Sequence, residues 1–186
     1  MKNKVFCIGM FKTGTTSLGM ALEKLEYAST YDYWPLEGID DWLEDESLNE
    51  KFYEIVKLKA YYYDAFADSP WLFFYKQLDQ WFPNSKFILT LRSKPENVAD
   101  SDIKMWKREG AEDINIPPSE KFINRYNEHN KRVREYFKDR PDDLLEICFE
   151  KGDAKWDDIC EFLGDPIPNC AFPHTNISPD KLEKIK

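Results

Sequence analysis

The segment KTGTTS, residues 12–17, concentrates groups that can bind an anion. A lysine, a glycine and three consecutive hydroxyl residues follow the apolar run at residues 5–8. Glycine lets the backbone approach a ligand closely, and successive amide groups at a helix start form a nest for an anion. An ordinary strand-to-helix turn is the alternative, but this composition favours a phosphate-binding loop. The expected ligand-binding residues are Lys12, Thr13, Gly14, Thr15, Thr16 and Ser17.

The place of the lysine separates this loop from the Walker A pattern, G-x-x-x-x-G-K-[ST], in which the lysine follows the last glycine. Here Lys12 precedes Gly14, and the loop contains no G-K-[ST]. This order argues against a P-loop nucleotide kinase or NTPase. Such an enzyme would use Asp64 or Asp68 to hold Mg²⁺ at a strand end, and its activity would depend on that metal.

Two other segments carry basic residues at the ends of apolar runs. Arg92 ends KFILTLR, and its planar guanidinium can bind a phosphate. A salt bridge, for example with Glu96, is the plainer use of an isolated arginine. Lys151 and Gly152 lie in EKGD, after the last apolar run. They could close over a ligand or form only a turn.

These groups need a scaffold that brings distant segments together, and the pattern of elements supplies one. The predicted strands cover residues 5–8, 60–66, 86–92 and 144–149. Helices are predicted at residues 17–25, 119–138 and 156–163, the last of these before Gly164. One or two more are predicted within residues 34–59. A further helix runs from Ser69-Pro70 to residue 82, and another begins at a Ser93/Glu96 capping box.

This alternation of strands and helices predicts a three-layer α/β domain. We expect a single domain over residues 1–186, with a mostly parallel central sheet and helices on both faces. Ligands in such sheets bind beyond the carboxyl ends of the strands. The loops of interest therefore follow Ile8, Phe66, Leu91 and Phe149.

Composition limits the classes of partner. The net charge of the 186 residues is -9, which argues against broad binding to nucleic acid or to an anionic membrane. The four cysteines form no C-x-x-C pair, which favours free thiols in a reducing compartment. Two histidines, His129 and His174, offer little for a metal site. With no signal peptide and no long apolar run, we expect a cytoplasmic protein.

Together these residues resemble the sulfotransferases that use 3'-phosphoadenosine 5'-phosphosulfate (PAPS), most of all the short bacterial-type members with their P-loop-like fold. The similarity rests on KTGTTS after a first strand, the strand-end Arg92 and the downstream Ser101. It extends more weakly to FLGDPIP and FPH near the end. The resemblance implies that PAPS is the co-substrate and that no metal is needed.

The resemblance also implies roles for the residues of the donor site. The first loop would hold the 5'-phosphosulfate, and Arg92 with Ser101 would hold the 3'-phosphate. Lys151 and Gly152 would close over the 3'-phosphate and the adenine. Ser101 lies nine residues after Arg92, one more than is usual in the family, and Asp100 stands in the usual place. Either Lys94-Pro95 lengthens the turn and Ser101 still faces the ligand, or the phosphate site is altered. An altered site would also fit a non-catalytic nucleotide-binding relative.

The base must take a proton from the acceptor. In the family a histidine or an acid at the end of the second loop does so, and Asp68 in FADSP holds that place, two residues before Pro70. The resemblance therefore implies Asp68 as the base and Lys12 as the group that stabilises the leaving phosphate. Asp68 could instead only cap the helix near Pro70, and Asp64 is the rival base.

The acceptor is the part that the sequence describes least. It would be a hydroxyl or an amine on a small molecule, a sugar or a peptide. Aromatic residues at such spacings belong to a core more often than to a cleft. The candidates for lining an acceptor cleft are Trp34, Tyr61, Tyr62, Tyr63, Trp71, Phe73, Phe74 and Trp106.

Overall fold

The central element of the fold is a five-stranded sheet in which every pairing is parallel. The computed structural model describes residues 2–30, 50–108, 110, 119–151 and 155–173. The strands are β1 (Val5–Cys7), β2 (Ser29–Thr30), β3 (Ala65–Phe66), β4 (Lys86–Leu91) and β5 (Leu144–Cys148), in the order β2-β3-β1-β4-β5. The predicted α/β class with a parallel sheet is confirmed.

Helices cover both faces of this sheet. They are α1 (Thr15–Lys24), α2 (Glu50–Tyr62), α3 (Tyr75–Trp81), α4 (Pro95–Arg108), α5 (Ser119–Phe137) and α6 (Trp156–Leu163). Short 3-10 helices lie at Trp71–Phe73, Pro141–Asp143 and Phe149–Lys151. Strand β1 divides the core because neighbouring side chains point to opposite faces. Val5 and Cys7 pack with α1 and α6 on one face, and Phe6 packs with α2, α3 and α5 on the other.

Two predicted elements between residues 60 and 82 were right only in part. Residues 60–62 end α2, so that the strand is confined to Ala65–Phe66. Val56 and Ala60 lie one helical turn apart and are both buried, whereas Tyr61 and Tyr62 are exposed. Burial of that helical face overrides the strand preference of the tyrosines. The helix predicted from Pro70 is instead a 3-10 turn at Trp71–Phe73, followed by α3.

Other predicted elements agree more closely. Helix α5 covers the predicted segment 119–138 except for its last residue. Helix α6 ends at Leu163, and the next residue, Gly164, has a φ of 72°, which suits glycine. Strand β2 was not predicted, since two polar residues give no apolar run. Of the segment 34–59, in which one or two helices were predicted, residues 34–49 lie outside the described residues and residues 50–59 belong to α2.

The end of β1 packs closely against β4. A Cβ added to Gly9 would lie 1.9 Å from Thr90 Oγ1 and 2.6 Å from the Thr90 carbonyl oxygen. A side chain at this position would displace backbone as well as side chain, so glycine is required for the packing. The first loop therefore leaves the sheet directly beside β4.

The cysteines are free, as expected, and three of the four are buried. Burial raises the pKa of the Cys7 thiol to about 12, which keeps it protonated and unreactive. Among the described residues, no helix is both long and apolar enough to cross a bilayer.

Candidate active site

The carboxyl ends of β1, β3, β4 and β5 meet at one edge of the sheet, and the first loop occupies its middle. Gly14 has a φ of 105° and comes directly before α1. A Cβ added to Gly14 would lie 2.5 Å from the ring of Phe149, which follows β5. Glycine is thus needed here both for the backbone conformation and for contact with the loop after β5.

Contacts with β4 and with Arg92, the residue after it, hold the first loop in place. The Thr13 hydroxyl lies 2.6 Å from the Thr90 hydroxyl, and Arg92 Nε donates a hydrogen bond to the Lys12 carbonyl oxygen. Thr13 is buried. The buried Thr13 hydroxyl contacts the Met10 carbonyl oxygen and the Thr90 hydroxyl and so supports the loop, while the role of Thr13 in ligand binding stays a prediction.

Of the other predicted loop residues, Thr15, Thr16 and Ser17 begin α1, and Lys12 and Gly14 precede it. Thr15 and Ser17 are buried, while Thr16 and Lys12 are half-buried. The first amide groups of a helix have no partner within the helix and carry its positive dipole. This arrangement brings the charge of Lys12 and the amide groups of residues 14–17 to the same edge of the sheet.

Asp68 lies at this edge, in the loop after β3. Its Oδ1 accepts a hydrogen bond of 2.6 Å from the Thr15 hydroxyl. Burial raises the pKa of Asp68, and the Thr15 hydrogen bond and the Lys12 charge partly offset that rise. Neither the 3-10 turn at Trp71–Phe73 nor α3 has a side-chain cap, so Asp68 does not serve as a helix cap.

Asp64, the rival base, lies at the opposite edge of the sheet. It comes directly before β3, and its carbonyl oxygen accepts a 2.8 Å hydrogen bond from the Val5 amide. The charge of Asp64 acts on Lys4, close to the amino end of β1. A carboxylate at the amino ends of the strands cannot reach a ligand held by the first loop.

Arg92 lies at the end of β4, and its charged partner is Glu150. Arg92 Nη1 lies 2.8 Å from Glu150 Oε1. The amide and the hydroxyl of Ser93 donate to Glu150 Oε2 at 2.8 and 2.6 Å. Asn97 Nδ2 donates to both carboxylate oxygens, at 3.1 and 3.0 Å. We call the donor groups of Arg92, Ser93 and Asn97 the Arg92 pocket.

Several sequence interpretations change at the Arg92 pocket. Ser93 bonds to Glu150 rather than to Glu96, so the predicted capping box is absent, and the suggested Arg92–Glu96 pair is replaced by Arg92–Glu150. Burial alone would raise the pKa of Glu150, but the hydrogen bonds from Ser93 and Asn97 and the Arg92 charge lower it to about 2. Glu150 was missed in the sequence, where only its neighbours in EKGD drew notice.

Helix α4 presents a different aspartate to the site from the one suspected. Asp100 is exposed, Ser101 is half-buried and Asp102 is buried. Burial raises the pKa of Asp102 to about 6, and the charge of Lys12 partly offsets the rise. The carboxylate near Lys12 on this helix is therefore Asp102, which sequence patterning cannot distinguish from its neighbours. Lys151 ends a 3-10 turn, and Gly152 lies outside the described residues.

Asp102 predicts a pH dependence of stability. Its folded pKa lies above its ordinary value of 3.8, so its contribution is full below about pH 4 and is lost as pH rises through about 6. We expect the stability gained by Asp102→Asn to grow by roughly 3 kcal/mol between about pH 4 and pH 7. Urea unfolding at several pH values measures this. Asp100→Asn is the exposed control, and a pH-independent difference for Asp102→Asn would contradict the assignment.

The aromatic candidates for acceptor binding are mostly structural. Trp71 and Phe74 are buried in the core, and Tyr63 and Phe73 pack against it. Tyr61 and Tyr62 are exposed on α2, and Trp106 is 36% exposed on α4. Trp34 lies outside the described residues.

His129 is also structural. Its Nε2 lies 2.6 Å from the carbonyl oxygen of Ile8. Burial lowers the pKa of His129, and the hydrogen bond to Ile8 only partly counters this. Since a carbonyl oxygen can only accept, the neutral ring donates from Nε2 and fastens α5 to the end of β1. Among the described residues, no group of three or more histidine, cysteine, aspartate or glutamate side chains is arranged to hold a metal.

Comparison with known proteins gives a consistent family. The profile of the sulfotransferase domain matches residues 4–108 and 102–180. "Ava biosynthesis cluster protein M" of Aspergillus versicolor is 27% identical over 216 aligned positions, which cover 92% of this chain and 80% of that protein. The crystal structure of a sulfotransferase from Alicyclobacillus acidocaldarius superposes with a TM-score of 0.57 at 18% identity. That match covers 100% of this chain and 90% of the other, and it shows a shared fold.

Proposed function

The chain belongs to the sulfotransferase domain family, and we propose that it transfers a sulfuryl group from PAPS to a hydroxyl or an amine of a small molecule, a sugar or a peptide. The observation that carries the proposal is the meeting of two loops at the carboxyl edge of the sheet. Thr15, in the first turn of α1, donates to Asp68, and Lys12 acts electrostatically on the same carboxylate. The loop proposed to bind the phosphosulfate and an acid with a raised pKa thus lie together at this edge.

The proposed reaction exchanges one bond to sulfur for another and moves one proton from the acceptor to the protein. The acceptor oxygen or nitrogen attacks sulfur in line with the departing phosphate, and the bond between sulfur and the bridging oxygen breaks. Lys12 and the amide groups at the start of α1 stabilise the negative charge that grows on the leaving phosphate. Asp68 takes the acceptor proton. The products are the sulfated acceptor and 3'-phosphoadenosine 5'-phosphate (PAP).

The surroundings of Asp68 suit a base. Burial raises its pKa and so strengthens its affinity for a proton, while Thr15 and Lys12 favour its ionised form. Thr15 also fixes the carboxylate through Oδ1. We propose that Oδ2 receives the proton from the acceptor. Asp64 has no part in this proposal because it lies at the other edge of the sheet.

The rest of the donor site follows the family pattern in part. Arg92 and Ser101 are proposed to hold the 3'-phosphate, with Lys151 and Gly152 closing over it and over the adenine. No metal has a role in these steps. The free, mostly buried thiols support action in a reducing compartment such as the cytoplasm.

The test is thermal and chemical unfolding with PAP, and with ATP, each with Mg²⁺ or with a chelator. We expect PAP to stabilise the protein without metal, by about 2.7 kcal/mol at 100 times its Kd. Transfer of labelled sulfate from PAPS to an acceptor panel would then identify the substrate class. Stabilisation by ATP that requires Mg²⁺, with none by PAP, would contradict the proposal.

A further inference from the structure

The Arg92 pocket is filled by the protein's own carboxylate. Glu150 accepts from a guanidinium, a backbone amide, a hydroxyl and a side-chain amide at distances between 2.6 and 3.1 Å. A guanidinium and several other donors that converge on one anion form the hydrogen-bonding arrangement by which proteins also bind phosphate. The side chain of Glu150 is 16% exposed, so these contacts leave little of it open to solvent.

The pocket also adjoins the first loop. Arg92 Nε donates to the Lys12 carbonyl oxygen, and the same side chain reaches Glu150 through Nη1. Phe149, the residue before Glu150, packs against Gly14. The loop after β5 thus carries a negative charge to a position next to the loop that would hold the 5'-phosphosulfate.

We propose that Glu150 competes with the 3'-phosphate of the donor for the Arg92 pocket, and that it thereby sets how much this phosphate contributes to binding. The inference rests on the proposed function. A phosphate and a carboxylate cannot share the same donors, because two adjacent anions repel each other. The nucleotide must therefore displace Glu150, or bind without using this pocket.

Displacement of Glu150 offsets most of the binding free energy that the 3'-phosphate gains from the Arg92 pocket. The phosphate acquires Arg92, Ser93 and Asn97 as donors beside the Ser101 hydroxyl proposed above, but the carboxylate loses the first three. A nucleotide that lacks the 3'-phosphate leaves Glu150 in place and loses nothing. In the wild-type protein we therefore expect PAP and adenosine 5'-monophosphate (AMP) to have similar dissociation constants, within about threefold.

The experiment measures the dissociation constants of PAP and AMP by titration calorimetry for the wild-type protein and for Glu150→Gln. The glutamine keeps the shape and an acceptor oxygen but removes the charge. We expect the ratio of Kd for AMP to Kd for PAP to rise at least tenfold in Glu150→Gln, with AMP affinity nearly unchanged. An unchanged or reduced ratio would overturn the inference and make Glu150 a brace that orients Arg92.

Glu146→Gln is the matched control. Glu146 lies on β5, just before the turn that holds Glu150, and pairs with Arg134 through two contacts of 2.7 Å, but this pair is exposed and belongs to another surface. The ratio of Kd for AMP to Kd for PAP in Glu146→Gln should match the wild-type ratio. Glu150→Asp, which keeps the charge but shortens the side chain, should give an intermediate ratio, and it serves if the glutamine variant does not fold.

The two proposals fail in different ways. Absence of PAP and AMP binding in every folded variant would refute the nucleotide site itself, and the role of Glu150 with it. If both nucleotides bind but the ratio of Kd for AMP to Kd for PAP is the same in Glu150→Gln as in the wild-type protein, the donor site stands and only the competition is refuted.

Discussion

Asp68→Asn is expected to lower kcat by about 10²- to 10⁴-fold, the usual contribution of a positioned general base. Asparagine has nearly the same shape and can still accept the hydrogen bond from the Thr15 hydroxyl. The first loop should therefore keep its structure, and the Kd for PAP should stay within a few-fold of the wild-type value. Steady-state kinetics with PAPS and calorimetry with PAP measure the two effects separately.

The pH profile gives a second readout for Asp68. Burial raises the pKa of this carboxyl, so the wild-type rate should fall on the acid side at a higher pH than an exposed aspartate would give. That limb should disappear in the residual activity of Asp68→Asn. Asp64→Asn, at the other edge of the sheet, is the control and should retain turnover. Full activity in Asp68→Asn would refute the assignment of the base.

Lys12→Met is expected to lower kcat by about 10²- to 10³-fold, as when a donor to a developing negative charge is removed. Methionine keeps much of the length of the side chain and removes the charge. The contact with Arg92 uses the Lys12 carbonyl oxygen, so it survives the substitution. Both residues carry a Cβ, and therefore the positive φ of 65° at this position is no new source of strain.

Lys12→Met should also shift the acid limb of the rate. The Lys12 charge lowers the pKa of Asp68 and of Asp102, so its removal should raise both. Lys138→Met, which breaks only an exposed pair with Glu135, is the control for loss of a lysine. Single-turnover rates show the chemical step even where product release limits kcat. Single-turnover rates equal to those of the wild-type protein would exclude Lys12 from charge stabilisation.

The fold was predictable from the sequence wherever a buried element consists mainly of apolar residues. Strand β4 is covered on both faces and has apolar residues at four of its six positions, so its place in the sheet could be inferred directly from the sequence. Strand β2 consists of Ser29 and Thr30 and owes its existence to pairing with β3, which no local pattern reveals. Residues 60–62 were misassigned since tyrosine favours strands, whereas the burial of Val56 and Ala60 favours a helix.

The site was predictable where one segment supplies its own chemistry. The first loop could be recognised from its local sequence, whereas Asp68 was implied by the family resemblance, and the structure brings both to the same edge of the sheet. Glu150 could not be assigned because its partner Arg92 lies 58 residues away. The sequence could not show which of Asp100 and Asp102 is buried. Residues two positions apart on a helix point to opposite sides, and only packing decides which side faces the protein interior.

The parallel sheet also has a consequence for how the chain reaches its native state. The contacts that build the carboxyl edge join residues separated by 53, 58 and 80 positions. Closing such loops costs entropy before any contact compensates for it, and parallel sheets of this kind fold slowly. A chain that has not yet docked β5 lacks both Glu150 and the Phe149 ring against Gly14. The site is therefore complete only when the last strand has joined the sheet.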